Sequence, residues 1–248
     1  MRLVLLVFIV YAVALSVALG RRGIRGPRGA RPAGPVDRPA RVLIVGATGG
    51  TGRELVGQAL ERGHLVTALV RNPSSLAVAH PRLRIVRGNV LDPAIVSAAV
   101  REQDAVVSAL GHKQFFRPTR ILSNGTRNIL RAMEEHHVRR FVCETSLGIG
   151  DSAGRMGLSY TFFVVPVILP FYFWDKARQE RAIAESRVEW IVVRPGVLTN
   201  AAKRGRYRIG IVGSFLRTVR ISRADVADFM LNQMTDSTYL GTAAGVCW

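Results

Sequence analysis

Short apolar, β-branched runs alternate along this chain with segments whose apolar residues recur at helical spacing. Arg41-Val-Leu-Ile-Val45 runs without a polar break into a glycine, as a parallel strand buried on both faces does. Over 51–62, Leu55, Ala59 and Leu60 fall on one side, which predicts a helix that Gly63 stops. Further strands are expected over 65–70, 83–86, 105–108, 140–145 and 189–193, with helices over 93–101, 120–137 and 176–186. Ser222-Arg-Ala-Asp225 resembles a capping box and opens a helix to about Met234, after which 242–247 reads as a last strand. Strands and helices in alternation, joined by short connections, predict an α/β fold: a doubly wound parallel sheet with a small C-terminal part covering the substrate. No internal repeat is visible.

Two apolar stretches stand outside this alternation. Leu3 to Leu19 is 17 residues without a charge; only Arg2 and the amino terminus precede it, and the strong basic flank lies after it. That length is at the short edge of a bilayer span and the long edge of a signal segment, and Ala18-Leu-Gly20 is a weak cleavage pattern. The positive-inside tendency favours an uncleaved single-pass anchor (residues 1–20) that keeps the rest at the cytoplasmic membrane face. The alternatives are a removed signal peptide and a start placed too far upstream, the latter giving a soluble cytoplasmic protein. The Gly/Pro/Arg-rich residues 21–40 read as a flexible linker able to lie along anionic headgroups, and the folded domain is expected over 41–248. The second stretch, Phe162 to Trp174, contains Pro166 and Pro170 and is too short to span a membrane. It reads either as a buried segment or as a lipophilic lid over 158–174 that dips into the membrane beside the anchor.

At 248 residues the chain suits one substantial domain with an appendage. Its net charge of +18 is unevenly placed: seven arginines against Asp37 fall between Arg21 and Arg41. There is no zinc-finger spacing, RNP-like aromatic pattern or basic repeat, so nucleic-acid binding is not expected. Cys143 and Cys247 make no disulfide framework, and Cys143, inside an apolar run, reads as a small buried hydrophobe in a reducing compartment. His112, His136 and His137 lack metal-ligand spacing, and no metal is expected. Oligomeric state stays open.

The chemistry begins where the first strand meets its helix, at Gly46-Ala-Thr48-Gly49-Gly50-Thr51-Gly52. Glycines let the backbone turn sharply and approach a pyrophosphate, and the helix N-terminus offers free N–H groups and a positive dipole end. Thr48 and Thr51 add hydroxyls. In this strand–loop–helix context a glycine-rich loop is a strong dinucleotide signal, that of a Rossmann domain. The second strand ends in Val70-Arg71-Asn72-Pro73-Ser74-Ser75, without the acid that would bond both ribose hydroxyls in an NAD site. Arg71 can pair with a 2′-phosphate and stack on adenine, Ser74 offers a hydroxyl, and Arg53, just past the glycine loop, can reach the same phosphate, so NADP(H) is the expected cofactor.

The loop spacing is G-x-x-G-x-x-G, in the form GATGxTG. With Leu69-Val-Arg-Asn-Pro73, Gly88-Asn-Val-Leu-Asp92, Asp104 through Gly111, Val193-Arg-Pro-Gly196 and Ile221 through Ala227, the chain resembles the extended and atypical short-chain dehydrogenase/reductases. Within them it looks like the NmrA-like, NAD(P)H-binding group that includes biliverdin-IX-beta/flavin reductase. The resemblance covers roughly 41–248. It implies that Asn89 and Val90 contact adenine, with Asn89 where the family has Asp. It also implies that Ser108, Ala109, Leu110 and Gly111 pass beneath a ribose and that Pro195 and Gly196 meet the nicotinamide amide.

In short-chain dehydrogenases a Tyr and a Lys four residues apart share a helix face, with a Ser nearby to bind the substrate oxygen; a lysine's charge favours the tyrosinate. Tyr172 and Lys176 have that spacing, and Ser146 stands 26 residues before Tyr172. These three are the expected catalytic residues. The function expected is hydride transfer from NADP(H) to a small, planar or lipophilic acceptor such as a flavin, quinone or carbonyl. The alternative is a non-catalytic NADP(H)-sensing regulator or membrane-complex assembly factor.

Overall fold

A computed structural model of the chain describes residues 10–15, 17, 18, 20, 39–214 and 216–248. Most of the expected anchor (residues 3–9, 16 and 19) and the linker over 21–38 lie outside the described residues. Among the described residues, no helix is long and apolar enough to cross a membrane. Residues 10–15 are helical and lean on the domain, Tyr11 donating its hydroxyl to the Pro166 carbonyl at 3.3 Å.

The strands β1 (Arg41–Val45), β2 (Leu65–Val70), β3 (Leu83–Arg87), β4 (Ala105–Ser108), β5 (Arg140–Glu144) and β6 (Glu189–Pro195) lie in the order β3-β2-β1-β4-β5-β6, all parallel. Val42 pairs with Val66 on one side and Ala105 on the other, so β1 is central. Its residues Val42 to Val45 are buried on both faces, which is why they read as an unbroken apolar run. The helices are α1 (Gly50–Glu61), α2 (Pro93–Val100), α3 (Ile121–Glu135), α4 (Pro170–Ala184) and α5 (Arg223–Asn232). Two clusters of the core pack one on each sheet face: Leu55, Val56, Val226 and Phe229 under α1 and α5, and Ile129, Met133, Phe141 and Ile183 under α3 and α4. A third gathers Leu147, Met156, Phe173 and Val212.

The C-terminal part departs from the expectation. The strands β7 (Val197–Thr199) and β9 (Arg220–Ser222) form a separate parallel ribbon. Strand β8 (Arg208–Gly210) adds to the sheet antiparallel to β10 (Ala243–Cys247), so the sheet is not wholly parallel. Three-residue strands carry too little periodicity to be read locally. The apolar stretch over 162–174 is also rebuilt. Tyr160–Ile168 winds as a π-helix around Pro166, which has no N–H to give, and Leu169 donates five residues back to Val164 at 3.0 Å. Pro170, expected to break a helix, instead opens α4 six residues before the predicted start, because proline suits the first helical position. Val165, Pro166 and Phe173 are buried, whereas Phe163, Val167 and Trp174 are exposed, so the segment is half packed.

Candidate cofactor and active site

The chain leaves β1 at Gly46 with φ +83°, a conformation that L side chains avoid. A Cβ on Gly46 would overlap the Ala109 carbonyl at the exit of β4, and one on Gly52 would overlap the Gly46 carbonyl. Both glycines are therefore required for close approach of main chain to main chain. The N-cap of α1, Gly49, supplies no side-chain hydrogen bond, and the first turn holds no acid. The first N–H bonded into the helix is that of Arg53, to Gly49 at 2.9 Å. The N–H groups of the turn before it, with the positive end of the dipole, form a cradle for an anion. Gly49 and Gly50 are exposed and Thr48 half-buried, whereas Thr51 is buried and donates its hydroxyl to Glu144 Oε1 at 3.2 Å.

At the end of β2, Arg71 is exposed. Asn72 Oδ1 accepts from the N–H and hydroxyl of Ser74, at 3.3 and 2.9 Å, which shapes the turn over Pro73–Ser75. Arg53 reaches the same turn from α1, its Nη2 donating to the Ser75 carbonyl at 3.2 Å. Two arginines and a hydroxyl turn, without a carboxylate among residues 70–75, suit a phosphate on the adenosine ribose. Asn89 is exposed and its Oδ1 accepts from Leu91 N–H at 3.1 Å, while Val90 is buried against the Gly125 backbone.

The segment after β4 supplies the floor. Ser108 is fully buried, Ala109 and Leu110 are half-buried, and Gly111 is exposed. Pro195 and Gly196 are buried at the end of β6, where Gly196 donates to Val246 at 3.0 Å and a Cβ would come 2.7 Å from the Val219 carbonyl.

Beside that floor the structure brings Tyr172 and Lys176 together on one face of α4, the ammonium 5.7 Å from the tyrosine ring centre. Lys176 is 2% exposed and donates to the carbonyls of Glu144 (2.9 Å) and Leu110 (3.3 Å), so it ties the ends of β5 and β4 to one another. An ammonium has three donors, and this pairing leaves one. The Tyr172 hydroxyl sits beside Gly111, at 3.6 Å from where a Cβ on that residue would lie. Ser146 is half-buried two residues beyond the Glu144 carbonyl that Lys176 holds.

Three other groups, at this corner and at the loop, were not among the expected site residues. His112 stacks edge-on against Tyr172 at 5.0 Å. Its Nδ1 accepts from Gln114 N–H at 3.1 Å, so Nε2 carries the proton and faces the Thr119 hydroxyl at 3.0 Å. Burial holds its pKa below the ordinary histidine range, with Asp175 opposing and Lys176 reinforcing that shift. Glu144 is buried under Thr51, and burial raises its pKa against the pull of Lys176, the Thr51 hydrogen bond and Arg223. Arg223, at the start of α5, lies across Gly50. A glutamate at the end of an apolar strand and an arginine in the first turn of a helix were the available signals, since each sits where local physics disfavours it.

The rest of the buried polar face of α4 holds structure together. Asp175 caps α3 from outside, accepting from Leu122 N–H (2.9 Å) and from the N–H and hydroxyl of Ser123 (3.2 and 2.5 Å). Glu180 accepts from the Thr145 hydroxyl at 2.7 Å and pairs bidentately with Arg194 at 2.9 and 2.6 Å, and Arg194 also binds Asp151. Burial pushes the Cys143 thiol up to about 12, so it is an inert core residue.

Comparison with known proteins is consistent with this geometry. A family model described as NAD(P)H-binding matches residues 46–237. An uncharacterized chloroplastic protein of Arabidopsis thaliana is 30% identical over 173 residues, 66% of this chain and 61% of that protein. The photosystem II assembly factor Ycf39 of Synechocystis is 35% identical over 105 residues, 41% of this chain and 32% of that protein. A 3-diazoavenalumate denitrifying reductase of Streptomyces is 31% identical over 176 residues, 64% of this chain and 56% of that one. The chain thus spans about a third to three fifths of these curated relatives. Among solved structures, a short-chain dehydrogenase/reductase of Veillonella parvula in complex with NADP superposes with a TM-score of 0.69 at 17% identity, covering 85% of this chain and 95% of that one.

Proposed function

The chain belongs to the NAD(P)H-binding family, and from that premise we propose that it is an NADP(H)-dependent reductase of a small acceptor: a flavin, a quinone or a carbonyl compound. The observation that carries this reading is the uncapped first turn of α1 behind Gly46 and Gly52, two glycines whose close main-chain contacts, which a Cβ would break, shape the turn that presents its N–H groups. Residues Gly46 to Gly52 hold the diphosphate, and Arg71, Arg53 and Ser74 hold the 2′-phosphate. The cofactor supplies the hydride when bound. Lys176 orients the ribose with its remaining donor while fixing the floor at Leu110 and Glu144. For a carbonyl acceptor, Tyr172 gives the proton and Ser146 binds the acceptor oxygen; a flavin acceptor needs neither. The π-wound segment over 160–168, with Phe163 and Val167 exposed, suits a lipophilic acceptor or a membrane surface.

Titration of the full chain with NADPH and NADH, followed by NADPH oxidation with flavins, quinones and aldehydes, tests the proposal. Tighter binding of NADPH, reduced to the level of NADH by Arg71→Ala, together with turnover of one acceptor class, is the expected result. Arg71→Ala should cost NADPH about tenfold, as expected for one charge-assisted phosphate contact, and NADH nothing. Tight NADPH binding without turnover of any acceptor would favour the second reading, a cofactor-sensing assembly factor, which similarity to Ycf39 supports.

A further inference from the structure

A role for Arg223 at the cofactor rests on the reading of Gly46–Gly52 as the seat of a dinucleotide's diphosphate. Arg223 is the first residue of α5, where a cation meets the unfavourable end of the helix dipole. The cap of α5 is complete without it: Ser222 accepts from Asp225 N–H at 3.0 Å and donates to Asp225 Oδ2 at 2.8 Å. The arginine side chain leaves its own helix and lies across the phosphate loop. A Cβ on Gly50 would run into Arg223 Cδ and come within 2.5 Å of Nε. Gly50 occupies the variable position of the GATGxTG form, so in this chain the missing side chain makes room for the guanidinium.

Three constraints hold it there. The β7–β9 ribbon pairs Thr199 with Ser222, so Asn200 and Arg223 leave the two strands side by side, and Arg223 Nη1 donates to Asn200 Oδ1 at 2.6 Å. Gln58 of α1 donates to the Ala224 carbonyl at 2.9 Å, and Arg62 of α1 pairs with Asp228 at 2.7 Å. Since α1 begins in the loop, the loop and the helix carrying Arg223 are one packed unit. Below the loop, Thr51 is bonded to the buried Glu144, so an anion added above would face a carboxylate unless a cation stood beside it.

We propose that Arg223 binds the cofactor's diphosphate, its guanidinium reaching over Gly50 from α5, with Asn200 as the positioning residue that aims it. One guanidinium donor is held by Asn200, and among the described residues the others make no hydrogen bond, which leaves them for the charge-assisted, forked bonds that phosphate oxygens favour.

Calorimetric titration of the full chain tests this with two probes: NADP+ and adenosine 2′-monophosphate, which lacks the diphosphate. Arg223→Ala should weaken NADP+ by about tenfold or more, the loss expected for charge-assisted bonds, and leave adenosine 2′-monophosphate within twofold. Arg223→Lys should recover part of the loss, and Asn200→Ala should show a smaller loss of the same pattern. If the alanine variant fails to fold, Arg223→Lys and Asn200→Ala give the same contrast. Unchanged NADP+ affinity in the variants would overturn the proposal, as would an equal loss for both probes, which marks a structural role, or tighter binding, which marks an obstruction. Failure of the unmodified protein to bind NADP+ is a different pattern and would overturn the reading of the loop itself.

Discussion

At the exit of β1 the loop is shaped by main chain meeting main chain, whereas at the exits of β4 and β5 the corner around Tyr172 and Lys176 is made of side chains carried in from distant segments. The shape of the cradle needs Gly46 to adopt a positive φ and Gly46 and Gly52 to let backbone touch backbone. The corner needs Lys176 from α4, the carbonyls of Leu110 and Glu144, the Tyr172 hydroxyl and the His112 ring from the segment after β4. A main-chain site fails when a side chain is added at Gly46 or Gly52, where backbone meets backbone. A side-chain site can lose its chemistry while its fold survives, or lose its fold when the wrong member is removed.

The sharpest way to break that contrast is Gly46→Ala. The new Cβ is strained at φ +83° and overlaps the Ala109 carbonyl. Strain and overpacking together should lower stability by about 2–3 kcal/mol, and NADP+ binding should fall below detection. Urea denaturation and calorimetry check both. A stable variant with full NADP+ affinity would mean that the loop does not hold the diphosphate through its backbone.

The next test separates two neighbours on α4. Lys176→Ala strands the buried carbonyls of Leu110 and Glu144 and should cost about 3 kcal/mol of stability, seen as a lower urea midpoint. Tyr172→Phe keeps the ring contacts with His112 and Phe115 and should leave stability within about 0.5 kcal/mol. Its turnover of a carbonyl acceptor should nonetheless fall about 100-fold, with flavin reduction unaffected. Equal stability losses in the two variants would erase the proposed division of labour between Lys176 as positioning residue and Tyr172 as proton donor.

The two regions also differ in how much of them the sequence made legible. The cradle and the strands β1 to β6 depend on local periodicity and on glycines close in sequence, so their outlines follow from the chain alone. The Tyr172–Lys176 spacing was visible for the same reason. Glu144 was hidden at the end of an apolar strand, and its partner Thr51 lies 93 residues away. Arg223 was absorbed into a capping box, and its contact with Gly50 depends on the packing of α5 against α1. Pro170 can be a breaker or a first helical residue depending on its C-terminal neighbours, and only the buried polar face of α4 decides between them.

Glu144 stands between the two regions, since its carboxylate touches the cradle through Thr51 and its carbonyl holds Lys176. Its folded pKa is raised, chiefly by burial. The folded protein therefore keeps this proton at pH values where the unfolded chain has released it, and stability falls as pH rises from the ordinary carboxylate range to the raised value. Within that window the decline is at most about 1.4 kcal/mol per pH unit. Glu144→Gln keeps an oxygen to accept from Thr51 but cannot ionise. The variant should match the wild type below the ordinary carboxylate range and exceed it above, as urea midpoints across pH will report. A diphosphate over the same turn disfavours the carboxylate further, so NADP+ affinity of the wild type, relative to that of Glu144→Gln, should also weaken as pH rises. Parallel pH profiles of affinity for the two proteins would place Glu144 outside the reach of the cofactor and return it to the fold alone.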